Sequence, residues 1–142
     1  MKKIIFFLFL VVGLVRADII RDNAKEVVLD SDTNLMWQDD SDAKNLTKSW
    51  SDAIKYCEDL TLGGYDDWYL PNINQLISLV DRTKADPSIK SAFLNITSFY
   101  YWSSTTYKDH TNLAWRVYFL YGQSDWYDKG YAHYVRCVRD KK

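Results

Sequence analysis

The chain has 142 residues and a formal net charge of -1 at pH 7, with 18 lysine and arginine residues against 19 aspartate and glutamate residues. This balance provides no basic surface for nucleic acid or for anionic lipid, so we expect neither as a partner. Aromatic residues are frequent, with six Trp and eleven Tyr. Such side chains fill cores, but an excess of them also suits a binding surface.

The N-terminal segment has the layout of a secretory signal peptide. Two lysines precede an unbroken apolar run over residues 4–15, and the segment ending at Ala17 offers a cleavage site. The run is short for a membrane span, although an uncleaved membrane anchor is the alternative. We therefore expect a signal peptide over residues 1–17, export, and one mature domain over residues 18–142 without a membrane span after cleavage.

Cys57 and Cys137 are the two cysteines of the chain. In an exported protein an even pair predicts a disulfide. The bridge would close a loop of about 80 residues, worth roughly 4.5 kcal/mol in the chain-entropy model. A free nucleophilic thiol is the alternative, but neither cysteine has a histidine nearby in the sequence.

After the signal segment, residues 27–29 and 35–38 predict the two strands of a hairpin, with turn-forming residues between them. The spacing of Asp30, Asp32 and Asn34 resembles that of a calcium-binding loop. However, a leucine stands where such a loop requires glycine, and a serine stands where it requires its last carboxylate. The pattern therefore favours a turn.

Two helices are predicted next. The first begins after Ser49, which is placed as an N-cap with Asp52 in an approximate capping box, and ends at the glycine pair 63–64. The second begins after Asn72, which is also placed to cap, and runs to about Arg82.

The last third of the chain is aromatic and β-branched, which is typical of strands. Three strands are predicted, over residues 99–107, 113–122 and 131–139. Residues 122–125 predict a turn, and Trp115 and Tyr121 alternate with core-like residues, so we expect both to be buried. A hairpin, two helices and then a run of strands predict an α+β fold.

Five segments carry a family resemblance. In chain order they are NLMWQD, WSDAIKYCEDLTLGGYDDWYLPNINQLISLVD, YWSST, AWRVYF and YVRCVR. Over about residues 27–139 they resemble the Lcl C-terminal-domain family. The resemblance implies a C-type-lectin-like fold, related to the formylglycine-generating enzymes, in which an N-terminal hairpin and two helices pack on antiparallel strands with one disulfide.

The resemblance also implies a secreted or surface protein of a bacterium, either periplasmic or extracellular, and an adhesin-like role of the kind that binds sulfated glycosaminoglycans. Because the net charge is near zero, a partner defined by a basic patch is not expected. The resemblance assigns a structural signature to nine residues: Trp37, Trp50, Trp68, Leu70, Pro71, Asn72, Trp102, Trp115 and Arg136.

Two positions depart from the family pattern. Relatives carry arginine where this chain has Tyr69, and glutamate where it has Gln75. A salt bridge common among relatives is therefore expected to be absent. The segment around these positions, residues 63–76, is expected to be a structural corner rather than a catalytic loop.

The sequence does not indicate catalysis. Neighbouring residues on a strand point to opposite faces, so neither carboxylate pair, Asp39-Asp40 or Asp66-Asp67, makes an acid/base couple. We expect all four to be solvated loop charges. The two histidines lack metal-ligand spacing. A copper-thiolate oxidase of the kind related by fold would require two neighbouring cysteines, and this chain has no such pair. We therefore expect no catalytic residue, no metal and no cofactor.

Ligand-binding residues are expected in the aromatic region between the YWSST and YVRCVR segments. A surface glycan or a protein ligand is the expected partner, because aromatic rings among amides and acids suit both. The alternatives are that the rings only pack a core, that the chain is a structural envelope subunit, or that it is an oxidase relative. The candidate residues are Tyr107, His110, Trp126, Tyr127, Tyr131 and His133.

Overall fold

The structure, a computed structural model, describes Gly13 and residues 18–141. Apart from Gly13, the expected signal peptide over residues 1–17 lies outside the described residues. Among the residues that are described, no helix is both long enough and apolar enough to cross a membrane.

The described residues form an α+β fold with two sheets, three helices and one disulfide, which confirms the predicted class. In chain order the elements are β1 (Ile19–Asp22), β2 (Val27–Asp30), β3 (Leu35–Gln38), α1 (Asp42–Asn45), β4 (Thr47–Lys48), α2 (Trp50–Asp59), α3 (Ile73–Ile77), β5 (Tyr100–Thr106), β6 (Leu113–Tyr118), β7 (Gln123–Asp128), β8 (His133–Tyr134) and β9 (Val138–Asp140).

The first sheet has the order β1-β2-β3-β9, and all its pairings are antiparallel. It contains the predicted β2–β3 hairpin and adds β1, which the sequence pattern did not indicate. In the hairpin turn, the Asp30 carboxylate accepts hydrogen bonds from the backbone N–H groups of Asp32 and Thr33 at 3.0 and 3.4 Å. Asn34 is left-handed with φ 58°. These residues therefore form the predicted turn.

The second sheet has the order β4-β8-β5-β6-β7, so β7 is an edge strand. The turn predicted at 122–125 is wrong, because the chain reverses earlier and β7 already begins at Gln123. Gly122 closes the reversal with φ 76°, and a Cβ atom there would lie 2.5 Å from Cγ1 of Val80. The first residues of β7 looked turn-like because this strand is largely exposed to solvent, which permits polar residues.

Both predicted helices exist, but both end early. The first ends at Asp59, and its N-cap Ser49 makes no side-chain capping hydrogen bond. The glycine pair 63–64 instead lies in a tight turn with positive φ at both residues. The second helix has the capping box at Asn72 but ends at Ile77, not near residue 82.

The disulfide between Cys57 and Cys137 is present, with the Cα atoms 5.5 Å apart, which confirms the predicted pairing. It ties α2 to the segment between β8 and β9. Both cysteines are fully buried in a cluster that includes Trp68 and Trp102. A second cluster, which includes Trp37, packs against the opposite face of the first sheet.

The Asp39 carboxylate is fully buried, so its expectation as a solvated loop charge is wrong. It accepts hydrogen bonds from Nε of Arg21 at 2.6 Å and from Nη1 of Arg136 at 3.0 Å. The backbone N–H groups of Leu94 and Asn95 donate to it at 3.0 and 3.1 Å. Two cations and two amides offset the cost of burying the charge, which sequence spacing did not reveal.

In the corner over residues 63–76, Tyr69 and Gln75 are joined by a hydrogen bond rather than by a salt bridge. The Tyr69 hydroxyl donates to Oδ1 of Asp140 at 2.7 Å and accepts from Nε2 of Gln75 at 2.9 Å. The Oε1 atom of Gln75 in turn accepts from the backbone N–H of Asn72. This segment therefore joins the start of α3 to β9.

We predict that the double variant Cys57→Ala/Cys137→Ala loses about 3–5 kcal/mol of unfolding free energy, because the bond closes a loop with a sequence separation of 80. Urea denaturation followed by tryptophan fluorescence measures the loss. Mass spectrometry of the wild-type chain checks the bond directly, since two free thiols would contradict it.

We predict that Asp39→Asn destabilises the fold by about 3–5 kcal/mol, because it leaves the Arg136 guanidinium buried without a counter-ion. The matched control is Asp59→Asn, which breaks the exposed pair with Lys55 and should leave the unfolding free energy almost unchanged, because solvent screens exposed pairs. Equal losses of unfolding free energy for the two variants, measured by urea denaturation, would contradict the prediction.

Candidate ligand-binding surface

The six candidate residues do not form one site, because β7 divides them between its two faces. Successive side chains on a strand point to opposite faces. Trp126 pairs with Trp115 across β6, whereas Tyr127 pairs with Ala114. The residues around Trp126 and the residues around Tyr127 are therefore separate surfaces.

We call the first surface the Trp126 face, and it comprises Tyr107, His110, Trp115 and Trp126. The Tyr107 and Trp126 rings stack at 4.5 Å between centroids with 7° between their planes. Trp115 meets the Trp126 ring edge-on at 5.2 Å, and His110 stacks on Tyr107 at 6.4 Å. Trp126 nevertheless keeps 44% of its surface exposed, so it is held rigidly while it faces solvent.

The loop between β5 and β6 holds Tyr107 in place. The backbone N–H of Tyr107 donates to the carbonyl of Leu113 at 2.8 Å. Lys129 secures the loop from the other side, since its ammonium group donates to Oγ1 of Thr106 at 2.9 Å and to the carbonyl of Thr111 at 2.7 Å. The same ammonium group lies 3.8 Å from the centre of the Trp50 ring.

Trp115 and Tyr121 were both expected to be buried, but neither is fully buried. Trp115 is half-buried beneath Trp126 and Tyr107. Tyr121 is 60% exposed, because the chain has already left the strand and begun the turn at that position. The assumption of one continuous strand to residue 122 produced this error.

We call the second surface the Arg116 cluster, and it comprises Tyr100, Arg116, Asp125, Tyr127 and His133. The guanidinium carbon of Arg116 lies 3.6 Å from the Tyr100 ring centre and 4.1 Å from the Tyr127 ring centre. Its Nε and Nη2 atoms donate to the two carboxylate oxygens of Asp125 at 2.7 and 3.1 Å. The planar cation therefore stacks and pairs at once, as arginine alone permits.

Arg116 was not among the candidate residues. Its role depends on Asp125, which the β6–β7 hairpin places directly opposite it. The only signal in the sequence was a cation on a strand rich in aromatic residues, and that signal does not identify its partners. Tyr131 lies at the margin of the cluster, 4.9 Å from the Tyr127 ring and 58% exposed.

His133 is neutral in this cluster. Nη1 of Arg116 lies 3.0 Å from Nε2 of His133, and because arginine only donates, Nε2 accepts and Nδ1 carries the proton. Burial and then the adjacent Arg116 cation lower the pKa of His133 to about 4, although Asp125 opposes the shift.

A shallow depression of about 390 Å³ adjoins the Arg116 cluster. Its wall includes the stacked rings of Tyr100 and Tyr118, whose centroids lie 4.4 Å apart. Its lining residues are Arg82, Tyr100, Tyr118, Gly122, Gln123, Ser124 and Asp125.

The described residues contain no group of three or more His, Cys, Asp or Glu side chains arranged to hold a metal ion. Both cysteines are in the disulfide. The pair of thiolate ligands that a copper oxidase would require is therefore already used.

The sequence was compared with family models and with curated proteins. The family model described as Lcl C-terminal domain matches residues 26–139. The chain belongs to the Lcl C-terminal domain family. No curated protein matches it. The range that this family model covers includes the Trp126 face, the Arg116 cluster and both cysteines, but not β1.

We predict that His133 lowers the stability of the fold as the pH falls from about 6.5 to about 4. In this window the unfolded chain protonates the histidine and the folded chain does not, so the unfolded state binds more protons. The difference in unfolding free energy between His133→Gln and the wild type should therefore grow in favour of the variant on acidification. NMR titration of the His133 ring protons should give a midpoint near 4, and a midpoint near the ordinary value of about 6.5 would contradict the prediction.

Proposed function

We propose that this protein is an exported, non-catalytic binding module that recognises a carbohydrate chain through the Trp126 face. The observation that carries the proposal is the stacked Tyr107–Trp126 pair, in which the Trp126 ring packs against two neighbouring rings and yet keeps 44% of its surface exposed. Exposure of apolar surface to water is unfavourable, and a contiguous exposed patch of aromatic surface is typical of a binding site.

The chemistry of the Trp126 face suits a sugar ring. One face of a pyranose consists of C–H groups, which stack on a flat aromatic surface, while its hydroxyl groups require hydrogen-bonding neighbours. The loop over residues 108–112 adjoins Tyr107 and is exposed. It contributes Lys108, Asp109, His110, Thr111 and Asn112 as polar side chains. Loops on a rigid scaffold are where such recognition usually occurs.

The fold and location belong to the same proposal. We assign the fold to the C-type-lectin-like class, a view supported by membership of the family and by the combination of two sheets with one disulfide. Disulfides persist in oxidising compartments, which supports the periplasm or the surface of a bacterium. The apolar segment near the N-terminus supports export in the same way.

The non-catalytic assignment draws on what the polar groups already do. The Asp39 carboxylate is saturated by arginines and backbone amides. The Asp125 carboxylate is paired through both oxygens with Arg116. These acids support structure, which leaves them poorly suited to proton transfer.

A glycan array tests the proposal with the wild type and the variants Trp126→Ala and Tyr121→Ala. We predict that Trp126→Ala lowers affinity at least about fivefold, because truncating an aromatic anchor costs more than about 1 kcal/mol. Tyr121→Ala is the matched control, since Tyr121 is also exposed but lies outside the Trp126 face and should leave affinity unchanged.

The array is run with and without a chelator, so that a metal requirement is visible separately from loss of the aromatic ring. Retention of no glycan, together with retention of a cell-surface protein, would replace the carbohydrate by a protein ligand. Equal effects of the two alanine variants would remove the Trp126 face from the proposal.

A further inference from the structure

A small pocket adjoins the Arg116 cluster where β5 and β8 begin, and we call it the Phe99 pocket. Its volume is about 250 Å³. The ring of Phe99 stacks on that of Tyr134 at 6.2 Å between centroids, and the Tyr100 ring meets the His133 ring at 5.6 Å. The lining residues are Phe99, Tyr100, Ala132, His133 and Tyr134. Aromatic rings therefore form most of its wall.

The wall of the Phe99 pocket carries no formal charge. None of the five described residues that line it is lysine, arginine, aspartate or glutamate. His133 is neutral, and the nearby Arg116 guanidinium is already paired with both carboxylate oxygens of Asp125. An ion that left water for this pocket would meet no opposite charge on its wall. The pocket therefore favours a neutral group.

Arg116 fixes His133 as a hydrogen-bond donor toward any ligand. Because Nε2 accepts from Nη1 of Arg116 at 3.0 Å, the ring proton lies on Nδ1. The described residues give Nδ1 no acceptor, and the atom is not buried, so its N–H group is left to water or to a ligand. The donor persists near neutral pH, because burial and then the Arg116 cation lower the pKa of His133 to about 4.

The Phe99 ring supplies exposed apolar surface beside this donor. It keeps 55% of its surface exposed even though it stacks on Tyr134. Its backbone is held in place, since the carbonyl of Phe99 accepts from the backbone N–H of Phe119 at 3.0 Å. Covering such a ring removes apolar surface from water, which favours binding of an apolar group there.

We propose that the Phe99 pocket binds an acetamido group, the substituent of N-acetylated amino sugars. The acetamido carbonyl accepts a hydrogen bond from the Nδ1–H of His133, and the methyl group packs against the Phe99 and Tyr100 rings. The group is neutral, as the wall requires. A hydroxyl group has no apolar part and an alkyl group has no acceptor, so neither would use both features of the pocket.

The Phe99 pocket is separate from the Trp126 face. The His133 ring lies 5.7 Å from that of Tyr127, and Tyr127 and Trp126 point to opposite faces of β7. One copy of the chain would therefore hold two sugar units independently. The acetamido assignment rests on the geometry of the pocket, whereas the choice of a sugar as the bearer of this group rests on the proposed function.

NMR titration of the protein with N-acetylglucosamine, glucosamine and glucose tests the proposal. The dissociation constant is read from the His133 ring signals, so that binding at the Trp126 face does not enter. A ligand of this size should bind with a Kd on the order of 1 mM. We predict at least about tenfold weaker binding of glucose and of glucosamine, because both lack the carbonyl and the methyl group. Equal affinities for the three sugars overturn the proposal.

Nitrogen NMR of the His133 ring tests the donor directly. We predict that the free protein carries the ring proton on Nδ1, because Nε2 faces Arg116. Saturating N-acetylglucosamine should slow the exchange of this proton with water, since the acetamido carbonyl then holds it. A proton on Nε2 in the free protein, or an exchange rate that the sugar leaves unchanged, overturns the proposal.

Two variants test the wall and the donor, with the Kd read from the backbone amide signal of Ala132. Phe99→Ala and His133→Phe should each weaken N-acetylglucosamine binding about fivefold. Tyr121→Ala is the matched control, because Tyr121 is similarly exposed but does not line the pocket. Phe99 is 55% exposed, so Phe99→Ala should fold even if His133→Phe does not. Equal affinities of Phe99→Ala and Tyr121→Ala overturn the proposal.

The acetamido pocket and the proposed function can fail separately. Trp126→Ala should leave N-acetylglucosamine binding at His133 unchanged, and Phe99→Ala should leave glycan binding at the Trp126 face unchanged. N-acetylalanine amide carries the acetamido group without a sugar and should bind more weakly than N-acetylglucosamine. Equal or tighter binding of this amide would assign the pocket to a peptide and overturn its assignment to a sugar.

Discussion

The rest of the structure depends on one buried ion cluster, the Asp39 carboxylate with the guanidinium groups of Arg21 and Arg136. Arg21 belongs to β1, and Arg136 lies where the chain passes from the second sheet to the first. The same carboxylate accepts two backbone N–H groups from the long loop before β5. A single buried carboxylate therefore contacts groups from both sheets and from a loop. Because the carboxylate is fully buried, each of its contacts must be satisfied within the protein, which restricts the arrangement of these segments.

The disulfide constrains the same segment between the two sheets, but by a different mechanism. Cys137 follows Arg136, so the covalent bond holds α2 at the point where the ion cluster holds the loop. The bond limits the unfolded chain, whereas the cluster limits the arrangement of the folded one. Together they make a rigid base for the outer strands of the second sheet, where Trp126 and Tyr127 are found.

The outer strands repeat the use of arginine near the surface. Arg116 lies between two tyrosine rings and pairs with Asp125, and this ion pair joins the side chains of β6 and β7. Its neighbour His133 stays neutral because burial, and then the adjacent Arg116 cation, lower the pKa of the imidazole. On the opposite face of β7 the indole of Trp126 needs no charge, since stacking on Tyr107 holds it. One strand therefore presents a polar surface and an aromatic surface back to back.

The sequence by itself determined the α+β class, the β2–β3 hairpin, the cap at Asn72, the disulfide and the family. These depend on local chemistry, namely the turn residues and the capping box, or on the presence of a single pair of cysteines. Only the tertiary structure decided that Asp39 is buried, that residues 123–125 begin a strand, and that the candidate aromatic residues occupy two faces. Each of these depends on partners distant in sequence, since Arg136 neutralises Asp39 and β6 imposes its register on β7. Local pattern carries no record of such partners, because burial and pairing are properties of the assembled fold.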